Sequence, residues 1–169
     1  MSRADAEART LVAEHGSASL PVDPEKVAQN LGAMVIHQPT PADLSGMLLR
    51  RDGQIVIGLN ANLPEARQRF ALAHLVGHLH LHHSRELLLD TVDRYSHDSL
   101  ASMPTDREEA EANRFAGALL APEGVVRRMA AEADFATASE LVALLAPQFG
   151  LTEATMGYRL ISLGIILDA

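Results

Sequence analysis

Five of the chain's eight histidines fall between His74 and His83, and the residues around them decide which of the five can act together. Pro64 opens a segment that carries Glu65, Phe70 and Leu72 at helical spacing to about His83, so the histidines are expected on one long helix. At 3.6 residues per turn, His74, His78 and His82 share a face. Residues four apart have Cβ atoms about 6 Å from each other, so the imidazoles of His74 and His78 can converge on one ion with bonds of about 2.1 Å. His82 lies eight residues from His74, roughly 12 Å along the axis, and is read as a support for the pair. His80 points elsewhere, and His83 stands near the helix end.

The chain contains no cysteine. Disulfides and thiolate metal sites are therefore impossible, and a transition metal must be held by imidazole and carboxylate. Nearly half of the 169 residues are apolar and about a fifth are charged, the proportions of a folded soluble domain. One domain, residues 1–169, is expected. The charged, helix-like stretch from Met1 to Glu14 does not read as a secretory signal, and no apolar run reaches membrane-spanning length. The expected setting is the cytoplasm. A formal net charge of −8 disfavours nucleic acid as a partner, since phosphate repels an acidic surface.

Along the chain, a first helix is expected over Arg3 to His15, closed by Gly16. A second is capped by Asp23, has Pro24 at its first position and runs to Gly32. Three strands follow, Ala33 to His37, Leu44 to Arg50 and Gln54 to Leu59, the last two joined by a turn at Arg51-Asp52-Gly53. They predict a small antiparallel sheet. Polar residues dominate from Asp90 to Thr105, which reads as a flexible connection. Asp106 begins a helix carrying Ala112, Phe115, Ala116, Leu119 and Leu120, which Pro122 stops. Shorter helices are expected over Glu123 to Ala133, Thr137 to Pro147 and Thr152 to Gly164.

Two histidines four apart also occur on helix faces that are merely polar, and here the flanking sequence separates the readings. Asn60, Pro64, Arg69, Phe70, Ala73, His74, Gly77, His78, Leu81 and His82 stand in order, followed by Glu109, Ala112, Asn113, Phe115, Ala116, Leu119, Leu120 and Pro122. This succession resembles the ImmA/IrrE family of zinc metallopeptidases. The resemblance implies an α+β, zincin-like fold, mainly helical, with a metallopeptidase-like core over residues 1–122 and a C-terminal helical segment over 123–169. It implies zinc held by His74, His78 and Glu109, with His82 and Asn113 in supporting positions. Glu108 and Glu111 compete with Glu109 for the third place. Glu109 shares a face with Ala112, Asn113 and Ala116, whose small side chains let two helices approach. Glu111 points about 160° from that line, at roughly 100° per residue.

The family pattern breaks at one position. A glutamate normally follows the first histidine and serves as general base, and here that residue is Leu75. Leucine cannot accept a proton, and loss of a general base commonly costs about 10²- to 10⁴-fold in rate. The expected function is that of a zinc-binding regulator with impaired or absent peptide hydrolysis. By the resemblance, its partner is a helix-turn-helix repressor-like protein. An active zinc endopeptidase using a different base is the first alternative.

The second alternative is a DNA-binding regulator, because Leu145 to Leu163 resembles a helix-turn-helix. A recognition helix presents several donors to base edges and phosphates, yet Arg159 is the one basic residue between Thr152 and Gly164. A structural helix pair is the favoured reading. Arg127-Arg128 is read as a solvated helix face. No nucleophile motif surrounds Ser84 or Ser96.

Overall fold

A computed structural model of the chain describes residues 2–15, 19–81, 86–91 and 107–167. Helix α1, Arg3–His15, buries Ala4, Ala8 and Leu11 along one stripe. Helix α2, Pro24–Asn30, is capped by the Asp23 side chain, which accepts from the backbone N–H groups of Glu25 and Lys26, so two amides at the helix start are satisfied. Gly16, the expected close of the first helix, lies outside the described residues.

The sheet contains the three expected strands and a fourth. Strands β1 (Ala33–Gln38), β2 (Leu44–Arg51), β3 (Gln54–Asn60) and β4 (Leu87–Thr91) lie in the order β1-β3-β2-β4. Asp52 and Gly53 both take positive φ, 51° and 76°, the backbone that a two-residue hairpin turn requires. That turn pairs β2 with β3 antiparallel, whereas β1 pairs with β3 parallel and β4 pairs with β2 antiparallel. The sheet is therefore mixed and four-stranded, in place of the antiparallel three-stranded sheet expected. The cause is topological: β1 crosses to the far side of β3 before the hairpin begins. The register between β2 and β4 shifts between Leu44 and Gly46, which leaves Ser45 as the extra residue of a β-bulge.

Helix α3, Glu65–Leu81, crosses the molecule between the sheet and helix α4, Arg107–Leu120. Every residue from Phe70 to Leu79 is buried, as a helix covered on all sides must be. Close passage of the two helices depends on Gly77, where an added Cβ would stand 3.1 Å from the Ala112 Cα and 3.1 Å from the Phe115 ring. Directly after Gly77, Arg50 of β2 donates to the carbonyl oxygens of His78 (2.9 Å) and Leu79 (3.3 Å). These belong to the last turn, whose carbonyls have no partner within the helix. The end of the histidine helix is thus tied to the sheet.

The remaining helices are α5 (Glu123–Glu132), α6 (Ala138–Phe149) and α7 (Glu153–Ser162). Thr137 and Thr152 cap the last two, and Gly150 ends α6 in the left-handed conformation with φ 63°. Arg69 of α3 reaches across to this turn, donating to Gly150 O at 3.2 Å and to Val22 O at 2.7 Å. Arg159 of α7 is only 5% exposed; it donates to Ala121 O at 2.9 Å and faces Asp5 at 3.4 Å. The sole basic residue of this helix is thus used inside the fold and is withheld from a DNA groove. Arg127 is an exposed partner of Glu123 and also donates to Leu163 O.

Candidate metal centre

The phase of α3 sends His74 and His78 into the interface with α4, and the first turn of α4 sends Glu109 to meet them. The three side chains are buried, at 0%, 1% and 4% exposure, and their ligand atoms lie within 4.8 Å of one another. The two Nε2 atoms are 3.1 Å apart. One carboxylate oxygen of Glu109 lies 3.3 Å from His74 Nε2, and the other lies 3.2 Å from His78 Nε2. The imidazole rings meet edge to face, at 75°.

These separations suit a shared divalent ion. Bonds of about 2.0–2.1 Å at tetrahedral angles place neighbouring ligand atoms about 3.4 Å apart, close to the distances seen. The tautomer suits it too. His74 Nδ1 lies 2.8 Å from Asn113 Oδ1, and an amide oxygen only accepts, so Nδ1 is the donor in this contact and Nε2 is the nitrogen left to bind an ion at the centre. An imidazole lone pair facing a second imidazole nitrogen and a carboxylate is stabilised by positive charge between them. A buried carboxylate needs the same.

The other sequence candidates fall elsewhere. Glu111 forms an ion pair with Arg107 at 2.9 Å and is a quarter exposed, while Glu108 is half-buried. Neither belongs to the His74, His78 and Glu109 group. His80 leaves the centre and meets Glu7 at 2.8 Å. His82 lies outside the described residues, as do His83, Ser84 and Ser96. Asn60 is a structural fastener at the end of β3: its amide donates to Leu44 O, and its carbonyl oxygen accepts from the Thr40 and Asn62 N–H groups.

Leu75, in the place of the family's general base, is fully buried. It faces β2 at Gly46, where an added Cβ would stand 2.9 Å from Leu75 Cδ1 and 2.8 Å from Gly58 O. Leu75 therefore fills the gap between helix and sheet beside the histidines.

Sequence reasoning missed Asp90, which it placed at the start of a flexible connection. Asp90 belongs to β4, opposite Gly46, and is fully buried. Its Oδ1 lies 3.9 Å from His74 Nε2. The signal was present in Leu88 and Asp90, two residues apart and both turned inward, but three consecutive leucines hid the alternation that marks a strand.

Among the described residues, no helix is long and apolar enough to cross a membrane. No curated protein sequence matches the chain significantly. A solved structure described as a Mycobacterium tuberculosis transcriptional regulator shares the fold, with a TM-score of 0.62 over 95% of this chain at 18% identity. This chain spans about half of that protein, 47% of its length. The family model for the IrrE N-terminal-like domain, Peptidase_M78, matches residues 28–161, which take in the sheet, both helices of the centre and the C-terminal pair, and the chain belongs to that metallopeptidase family.

Proposed function

We propose that this domain binds zinc through His74, His78 and Glu109 and acts on a helix-turn-helix repressor-like protein by binding it, with peptide hydrolysis impaired or absent. The observation that carries this reading is Leu75, buried against Gly46 where the family keeps a carboxylate. Zinc supplies Lewis acidity at such a site. Hydrolysis also requires a group that takes a proton from the attacking water and later returns it to the leaving amine, and the side chain after the first histidine cannot do this. What remains is a rigid, buried ion site coupled to a fold whose solved neighbour is described as a transcriptional regulator. A regulator working in the cytoplasm through protein contact fits these features.

The test combines metal analysis of the purified protein with incubation against a candidate repressor. Wild type, Leu75→Glu and His78→Ala are compared for binding and for cleavage, with folding followed by circular dichroism. The expected result is zinc-dependent binding by wild type, lost in His78→Ala, with no cleavage or cleavage that only Leu75→Glu accelerates. Efficient cleavage by wild type that Leu75→Glu does not improve overturns the proposal and points to a different base.

A further inference from the structure

We infer that Asp90 is the fourth protein ligand of the cation site, which closes the position that a catalytic zinc centre leaves open. The inference rests on the cation-binding reading above and extends it from three residues to four.

The first argument is placement. Asp90 is held by the backbone of β4, whose side chains alternate outward and inward, with Leu88 and Asp90 buried and Leu87, Leu89 and Thr91 exposed. Its cross-strand partner is Gly46, the residue against which Leu75 packs. Glycine leaves space on the inner face of the sheet that a Cβ would take from Leu75 and Leu59. Asp90 Oδ1 lies 3.9 Å from His74 Nε2. It lies outside the group of ligand atoms that are all within 4.8 Å of one another, so joining them means that the Asp90 side chain turns toward the centre when the ion binds.

The second argument is charge. A histidine that ligates a metal does so as the neutral imidazole, and the Asn113 contact lets His74 keep its remaining proton on the far side of the ring. Two imidazoles with Glu109 alone would leave a divalent ion one positive charge in excess, in a pocket whose walls are fully buried. Asp90 supplies the second negative charge, so two neutral rings, two carboxylates and a divalent cation sum to zero. Burial strongly favours a neutral set over a charged one. The carboxylate missing at Leu75 on the helix is thus matched by one on the strand. Closed four-ligand zinc sites hold structure, whereas catalytic sites keep a position for water or substrate.

The experiment uses the full chain loaded with zinc or cobalt(II). Zinc affinity is measured by competition with a chromogenic chelator for wild type and Asp90→Asn, a substitution of equal size that removes the charge. Asp90→Asn is expected to weaken zinc binding by about 10- to 100-fold. A second measurement needs no variant: cobalt bound to the wild type is expected to show the strong visible bands of a four-coordinate site, unchanged by added thiocyanate, because no water is available for exchange. Equal zinc affinity in Asp90→Asn, or cobalt bands that shift as thiocyanate replaces a water, overturns the assignment of Asp90 alone. Failure of the wild type to bind either ion overturns the cation reading beneath it.

Discussion

Leu75 and Gly46 share one volume: the Cδ1 of the helix residue lies 2.9 Å from where a Cβ on the strand residue would stand. Their sizes are coupled across the interface between α3 and the sheet. Gly46→Ala is expected to destabilise the protein by about 1–3 kcal/mol, the usual cost of overpacking. In Gly46→Ala/Leu75→Ala, part of the clash is relieved, so the loss should fall short of the sum of the single losses. Urea unfolding of the four proteins measures the coupling. Strict additivity would show that the two side chains do not compete for space.

The approach of α4 to the histidines is set at Gly77. A Cβ there would press on Ala112 Cα and Ala112 O at 3.1 and 3.2 Å, and backbone atoms cannot swing aside as a side chain can. Gly77→Ala should cost about 1–3 kcal/mol and weaken zinc binding, because separating the helices moves Glu109 away from the imidazoles. Loss of stability with unchanged zinc affinity would show that α4 gives way without carrying Glu109.

Asn113 fixes which nitrogen of His74 bears the proton. Asn113→Ala removes that acceptor and is expected to lower zinc affinity by about 10- to 100-fold, the range for groups that orient a metal-bound histidine. Asn113→Asp keeps an acceptor at the same place and should restore most of the affinity. Chelator competition on the two variants separates orientation of the ring from simple loss of packing.

Acid sensitivity should centre on Asp5, which joins α1 to the C-terminal half. Burial alone would raise its pKa, but hydrogen bonds from Ser2 and Arg114 and the charge of Arg114 outweigh it and hold the carboxyl below its ordinary value. Because the folded pKa is the lower one, the stabilisation is complete above the ordinary aspartate pKa of about 3.9. It is lost as pH falls from there through the folded value. Asp5→Asn should therefore lower stability at pH 7 by about 2 kcal/mol and flatten the fall in unfolding midpoint below about pH 4. An acid limb identical in the two proteins would assign the sensitivity elsewhere.

Helix-borne features were legible in the sequence because their signals are local. His74 and His78 stand one turn apart, Asp23 and Pro24 mark a helix start, and Ala112, Asn113 and Ala116 line the face that Glu109 shares. The structure brings Glu109 to the two imidazoles, as the comparison of helix faces anticipates. Sheet-borne features were hidden because pairing is not local. Nothing between Gln38 and Leu44 states that β1 lies parallel to β3, and Leu87-Leu88-Leu89 gives no alternation to identify β4. Asp90 was lost with that strand. Arg159 was read as one basic residue too few for DNA, and its burial against Ala121 O and Asp5 could not be read from α7 alone.

The register in which β4 pairs with β2, Asp90 opposite Gly46, has a consequence for which atoms face the ion site. Side chains on a strand alternate, so sliding β4 by a single residue along β2 would present Leu89 or Thr91 to the histidines and turn the acid out to water. Two helices fix their contribution by rotation about their axes, but the sheet fixes its own by counting. A slip of one residue between these two strands would therefore exchange the chemistry of the centre without altering any residue that touches it.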